Sequence, residues 1–271
     1  MINDKHISFA LKLSEDAGKI MINNFKLGMK KEWKEDGSPV TKTDIEIDNM
    51  VVQRVHDLFP DHGILAEESG LDKVKEYLWV CDPIDGTRPF SIGMPTFAFS
   101  IALVHGGVPL LGVVCDPVLG RTFLGIKDRG AFYENNKLKV SSQKRLEKGA
   151  VVGIGSTKSM KYNIQELSNQ LYEKNVSRIS VGSSTYTGML VAAGEFVASI
   201  YPITKPWDTA ALKVIVEEAG GRVTDFKGNN PMFNKNMDGS LVTNGFVHDE
   251  ILDLVQKFAE PNPNFKESLV L

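Results

Sequence analysis

Two cysteines among 271 residues, Cys81 and Cys115, are too few for a disulfide framework, and both sit in apolar runs where a small buried thiol is the common outcome. The five histidines, His6, His56, His62, His105 and His248, show no metal-ligand spacing with one another. A zinc hydrolase is therefore unsupported, and surface or packing roles are expected of them. No basic block accompanies the formal net charge of -3, so the electrostatic footprint of a nucleic-acid or anionic-membrane partner is missing. The segment Met1 to Leu13 mixes Asp4, Lys5, His6 and Lys12 into its apolar residues, and neither a signal peptide nor a spanning helix is read there. A cytoplasmic protein is the expectation. No repeat, low-complexity stretch or flexible linker breaks the chain.

What is present suits an ordinary globular protein: 42% hydrophobic and 24% charged residues, enough to bury a sizeable core in one unit or two packed lobes. Ile7, Ala10, Leu11, Ala17 and Met21 fall at helical spacing after Asn3, a cap, so the first two dozen residues read as an amphipathic helix. A second helix is expected after Thr43, with Thr43 and Glu46 as a capping box, Ile47, Val51, Val55 and Leu58 on one face, and Pro60 as its end. Strands follow at Gly63 to Ala66 and Tyr77 to Cys81. Two more, Thr96 to Val104 and Val108 to Cys115, flank the hairpin signal Gly106-Gly107, and Arg121 to Ile126 and Ala131 to Tyr133 extend an antiparallel meander. After about residue 145 the rhythm changes to strands at Val151 to Ile154 and Val197 to Tyr201, with helices near 160–174, 183–193 and 208–219, stopped at Gly194 and Gly220-Gly221. The expected division is an N-terminal α+β lobe over 1–145 and a C-terminal α/β lobe over 146–271, with a cleft between them as the natural site.

The most informative stretch is Trp79-Val80-Cys81-Asp82-Pro83-Ile84-Asp85-Gly86-Thr87. An apolar strand delivers two carboxylates in one tight turn, stiffened by Pro83, and hard divalent cations such as Mg²⁺ take oxygen ligands of this kind. Gly86 and Thr87 then offer backbone N–H groups at a helix start, with Pro89 in its first turn, where an anion such as phosphate is favoured. Glu67 and Glu68 leave the end of the strand Gly63 to Ala66, in a loop position that often builds sites. Taken singly, each feature has a plainer reading: a capped Asp-Gly turn, a solvated glutamate pair, Asp208 as an N-cap, Asp44 serving its helix dipole, Lys34 in the charged loop Lys34 to Ser38.

Taken together and in order, Pro39-Val40-Thr41-Lys42-Thr43-Asp44, Glu67-Glu68, Asp82 to Thr87 and Trp207-Asp208 resemble the inositol monophosphatase family over roughly residues 34–221. The resemblance implies an α/β fold layered as an α-β-α-β-α sandwich, often a homodimer, with its site between the halves. It implies two to three Mg²⁺ ions, with Mn²⁺ as a possible substitute: a first held by Glu67, Asp82 and the main-chain carbonyl of Ile84, a second by Asp82, Asp85 and Asp208, and a weaker third at Glu67. Thr87 with Asp44 behind it would accept and relay the proton of the attacking water. Gly86 and Thr87 would hold the phosphate, Lys34 would belong to a loop that closes over the site, and Ser183, in Gly182-Ser183-Ser184, would start a substrate-facing helix. The implied activity is hydrolysis of a small phosphorylated metabolite by a metal-activated water with no covalent intermediate, and lithium inhibition goes with it.

Within this resemblance the substrate is open. Inositol-acting members carry a glutamate seven residues before the Trp-Asp aspartate, where Tyr201 stands here, and Val197 replaces an aspartate of many relatives. An inositol 1-phosphate-type sugar or polyol phosphate is the first choice; histidinol phosphate, fructose 1,6-bisphosphate and 3'-phosphoadenosine phosphates are the alternatives. The plainer reading of Tyr201 is a buried strand end; a phenol there that stacks on a ring or donates one hydrogen bond would suit an aromatic leaving group better than a polyol. The haloacid dehalogenase turn, D-x-D-G-T, is a rival that the two-residue spacing between Asp82 and Asp85 speaks against. A non-catalytic metal- and phosphate-binding protein is the rival of another class.

Overall fold

The computed structural model describes residues 2–35, 37–155, 160–203 and 205–266; Asp36, inside the loop Lys34 to Ser38, lies outside them. Helix α1 (Asp4–Asn24) starts at Asn3, whose side chain accepts from His6 N while His6 Nδ1 accepts from Asn3 N, a reciprocal cap. Helix α2 (Lys42–Leu58) starts two residues earlier than its periodicity suggests. The capping box is Thr41 with Asp44, not Thr43 with Glu46: Thr41 Oγ1 accepts from Thr43 N at 3.2 Å and Asp44 Oδ2 accepts from Thr41 N at 2.8 Å. The helix stops ahead of Pro60, whose ring disfavours helical backbone at the residue before it.

Eight strands form the first sheet, in the order Asn136–Lys137, Gly130–Tyr133, Arg121–Ile126, Val108–Asp116, Ala98–His105, Tyr77–Asp85, Gly63–Ala66 and Gly70–Leu71. All pair antiparallel except Gly63–Ala66 with Tyr77–Asp85, which are parallel. The sheet is buried on both faces, and alternation along Tyr77–Asp85 divides it. Trp79 and Cys81 pack with Phe9, Leu13, Ile47 and Val51 of α1 and α2, whereas Leu78 and Val80 join a second core. Cys81 and Cys115 are both buried free thiols.

The second core is covered by α5 (Ser184–Ala192) and α6 (Ala210–Glu218), which follow the short α3 (Thr87–Ser91) and α4 (Gln165–Glu173) in the chain. Beyond them lies a five-stranded sheet in the order Ser177–Ile179, Val151–Ile154, Ala198–Tyr201, Ser240–Thr243 and Arg222–Thr224. Val151–Ile154 runs parallel to both its neighbours, and Ser240–Thr243 antiparallel to both of its own. Its far face packs Val152, Ile200 and Leu241 against Leu167 and Leu171 of α4 and Ile251 and Val255 of α7 (His248–Phe258). The layers therefore run α-β-α-β-α. Helix α4 is shorter than the expected 160–174, because Tyr162–Asn163 are drawn into a two-stranded pairing with Glu260–Pro261. Five strands of this half, Tyr162–Asn163, Ser177–Ile179, Arg222–Thr224, Ser240–Thr243 and Glu260–Pro261, and helix α7 lie outside the sequence expectation.

Candidate active site

Strand alternation puts Asp82 on the same face as Val80, toward the middle helices. The ladder with Ala98–His105 shifts register between Asp82 and Asp85, so the second carboxylate is delivered beside the first rather than to the opposite face. Ile84 N donates to Asp82 Oδ1 at 3.0 Å and holds the turn. Gly86 follows with φ 94°, and a Cβ there would lie 3.0 Å from both Ser183 Cβ and the carbonyl oxygen of Thr96. Only glycine fits this joint between strand and α3.

Asp208 arrives from the other half of the chain. Pro206–Asp208 form a single 3₁₀ turn and α6 begins at Ala210, so Asp208 is not the cap of that helix. Its carboxylate meets those of Asp82 and Asp85, with one oxygen from each lying within 4.8 Å of the others. Asp85 Oδ2 accepts from Ser183 Oγ at 2.7 Å and from Thr185 N, which fixes it against the N-terminus of α5. Burial, with Glu67, Asp85 and Asp208 adding to it, pushes the Asp82 carboxyl well above the usual range. Burial and then Asp85 and Glu67 do the same to Asp208. For Asp85 burial also raises the pKa, against the hydrogen bonds from Ser183 and Thr185. Three sequestered carboxylates that resist ionising together, with only oxygen donors, fit a hard divalent cation.

Glu67 follows its strand closely, its N–H donating to the Cys81 carbonyl at 3.2 Å. Lys34 Nζ bridges Glu67 Oε1 at 2.7 Å and Glu68 Oε1 at 2.6 Å. Burial works to lower the Lys34 pKa, but the two glutamates outweigh it and the ammonium is held charged. Burial and the neighbouring Glu67 carry Glu68 up to about 7. On the opposite side Thr87 Oγ1 donates to Asp44 Oδ1 at 2.9 Å and contacts the Ile84 carbonyl oxygen at 3.1 Å. Asp44 thus serves twice, capping α2 through Oδ2 and holding Thr87 through Oδ1. Burial pushes its carboxyl up to about 6, against hydrogen bonds from Thr41 and Thr87.

A cavity of about 600 Å³ opens over these groups, lined by Lys34, Glu67, Gly86, Thr87, Tyr201 and Asp208 among others. Ser183 is not in its wall: the side chain is buried, donates to Asp85 and accepts from Tyr186 N at 3.0 Å. Tyr201 lines the cavity with its ring, while its hydroxyl turns inward to donate to the Ser183 carbonyl at 3.2 Å. Thr185, Arg88, Lys205, Phe265 and Lys266 belong to the site or its wall and escaped the sequence reading. Arg88 directly follows the Gly86-Thr87 signal, Thr185 follows Gly182-Ser183-Ser184 and Lys205 stands two residues before Trp207-Asp208; Phe265 and Lys266 carry no local pattern.

A model of the inositol monophosphatase family matches residues 2–259. The chain is 37% identical over 223 residues to the fructose-1,6-bisphosphatase/inositol-1-monophosphatase of Thermotoga maritima, covering 82% of this chain and 84% of that protein. It is 32% identical over 253 residues to the histidinol-phosphatase of Mycobacterium tuberculosis, covering 91% and 96%. Among solved structures, a Thermotoga maritima IMPase superposes with a TM-score of 0.84 at 30% identity, covering 94% of this chain and 98% of that one. An IMPase/NADP phosphatase complexed with Mg²⁺ and phosphate superposes with a TM-score of 0.78 at 26% identity, covering 93% of this chain and 94% of that one.

Proposed function

Because this chain belongs to the inositol monophosphatase family, whose members are magnesium-dependent phosphatases, we propose that it hydrolyses a small phosphorylated metabolite in the cavity between its two sheets. The observation that carries this reading is the meeting of the Asp82, Asp85 and Asp208 carboxylates beside the Thr87–Asp44 hydrogen bond. Glu67, Asp82, Asp85, Asp208 and the main-chain oxygen of Ile84 would hold two to three Mg²⁺ ions, with Mn²⁺ able to replace them. Bound there, the metal supplies charge neutralisation for the phosphate and leaving oxygen and a lowered pKa for water.

The chain's own groups do the rest. Thr87 Oγ1, already donating to Asp44, has lone-pair capacity for the proton of an attacking water and can pass its own proton to Asp44. An Asp44 carboxyl poised at about 6 suits a terminal acceptor near neutral pH. The N–H groups of Gly86 and Thr87, at the loop entering α3, orient phosphate oxygens. Ser183 acts as a positioning residue by holding Asp85, and Lys34 screens Glu67 and Glu68 from each other at the cavity rim. A cytoplasmic homodimer completes the reading, resting on the family resemblance.

The substrate is an inositol 1-phosphate-type sugar or polyol phosphate, with histidinol phosphate, fructose 1,6-bisphosphate and 3'-phosphoadenosine 5'-phosphate as the alternatives that relatives and resemblance bring forward. The test is phosphate release from all four, with and without Mg²⁺, using Asp85→Asn as the blank. Magnesium-dependent release that collapses in Asp85→Asn is expected. Magnesium binding without release from any of them would favour the non-catalytic reading.

A further inference from the structure

Carboxylates from the two halves of the chain are held by one short piece of backbone, the entry to α5. Ser183 Oγ donates to Asp85 Oδ2 at 2.7 Å, and Thr185 N donates to the same oxygen. Both bonds fall on Oδ2, so Oδ1 is the oxygen left for a cation. Thr185 Oγ1 donates to the main-chain oxygen of Asp208 at 3.2 Å. Asp85, from the first sheet, and Asp208, from the 3₁₀ turn before α6, are thus oriented by the same three residues, 183–185.

What fixes these residues comes from the second sheet. Tyr201, buried at the end of the strand Ala198–Tyr201, donates its hydroxyl to the Ser183 carbonyl at 3.2 Å. Its ring reaches that position because the neighbouring strand Val151–Ile154 is followed by a glycine: a Cβ on Gly155 would fall 2.3 Å from Tyr201 Cε1. Thr187 Oγ1 supports the same joint, 3.3 Å from the Ser183 carbonyl and 2.8 Å from Ser199 Oγ on the Tyr201 strand. Ser183 Oγ accepts from Tyr186 N at 3.0 Å, which directs its single proton to Asp85. The phenol has likewise one proton, spent on the Ser183 carbonyl. Its contribution to the cavity is therefore the ring.

We propose that Tyr201 is a positioning residue for the metal site: its hydroxyl fixes the entry to α5 through the Ser183 carbonyl, and that entry aims the Asp85 and Asp208 ligands, so Tyr201 sets Mg²⁺ affinity rather than the binding of substrate hydroxyls. This rests on the metal assignment made above and separates Tyr201 from the groups that touch the phosphorylated metabolite.

The test titrates Mg²⁺ calorimetrically into chelator-treated wild type, Tyr201→Phe, Ser183→Ala and the double variant. Tyr201→Phe keeps the ring and its packing on Gly155 and removes one buried hydrogen bond; the Kd for Mg²⁺ should rise about fivefold. Ser183→Ala removes a bond to the ligand itself and should raise the Kd by about 10–100-fold. Because Tyr201 acts through Ser183, its own effect should fall below about twofold once the Ser183 hydroxyl is gone. At saturating Mg²⁺ the KM of Tyr201→Phe, for the best substrate among the four phosphates named above, should stay within about twofold of wild type. Unchanged Mg²⁺ affinity in Tyr201→Phe, a raised KM at saturating Mg²⁺, or the same fold loss of affinity in both backgrounds would overturn the proposal. The expected affinities in a protein that releases no phosphate would leave it standing and overturn the phosphatase reading. A wild type that binds no Mg²⁺ would overturn both.

Discussion

Replacing Asp208 with asparagine should stabilise the metal-free protein while removing most of the stabilisation that magnesium confers. Asp208 is the ligand to change because the hydrogen bond at this residue, from Thr185 Oγ1, runs to its main-chain oxygen and not to the carboxylate. With carboxylate oxygens lying within 4.8 Å of one another, each ionised pair at an effective dielectric constant of about 20 repels by about 3.5 kcal/mol. Proton uptake caps the total, since neutralising an ordinary carboxyl at pH 7 takes about 4 kcal/mol. Asparagine removes two of the three repulsive pairs and also forfeits attraction to Lys205 and Lys34, so a net gain of about 2 kcal/mol is expected beneath that ceiling. For a chain of this size that is a rise in Tm of roughly 4–8 °C. Magnesium at about one hundred times its Kd adds about 2.7 kcal/mol to the wild type and far less to the variant, so the variant's lead should vanish. Calorimetric melts at pH 7 in chelator and in magnesium give all four numbers. A variant that melts below the wild type in chelator, or that gains as much from magnesium, would refute the assignment of Asp208 to a shared cation site.

Three further outcomes are expected. Thr87→Ala should lower kcat by about a hundredfold with KM little changed, the size expected for losing a proton-transfer group, and Thr87→Ser should recover most of it; unchanged steady-state kinetics would remove Thr87 from the relay. Since Asp44 must be ionised to accept a proton and burial raises it to about 6, kcat/KM should be level above that pH and fall toward tenfold per unit below it. An acid limb near 4 would show that Asp44 is not the acceptor. For stability the same shift acts in the other direction: the native state holds this proton more tightly than the unfolded chain, so a stabilisation present below about pH 4 is lost as pH rises through about 6. Gly86→Ala forces a Cβ against Ser183 and the Thr96 carbonyl at a left-handed φ and should destabilise by about 1–3 kcal/mol; a melt within a degree of wild type would count against the strain at that joint.

How far the site could be read from the sequence follows from chain distance. Asp82, Ile84, Asp85, Gly86 and Thr87 share one strand-to-helix turn, so their proximity is covalent, and the residue types alone suggested an anion beside a cation. Asp208 could be joined to them only through the ordered family pattern, since nothing local links it to Asp82. The Thr185 N–H on Asp85, the Lys34 bridge between Glu67 and Glu68, and the placing of Phe265 and Lys266 are all tertiary contacts with no periodic trace. The start of α2 is hard to read locally because Asp44 suits a helix-dipole residue equally well, and its second bond, to Thr87, lies 43 residues away. In the second half, Ser177–Ile179 is an exposed edge strand of three residues, too short and too polar to show alternation. The layered fold was legible chiefly where strands are long and flank a Gly-Gly turn, as in Ala98–His105 and Val108–Asp116.

The central claim, that the Asp82, Asp85 and Asp208 carboxylate cluster makes this chain a magnesium-dependent phosphomonoesterase, is tested most directly by titrating Mg²⁺ into chelator-treated protein while following phosphate release from inositol 1-phosphate and fructose 1,6-bisphosphate, for the wild type and Asp82→Asn. Release that is absent without metal, rises saturably with Mg²⁺ in the wild type and fails to rise in a folded Asp82→Asn is the predicted result. Release that is indifferent to the metal, or that persists in Asp82→Asn, would contradict it.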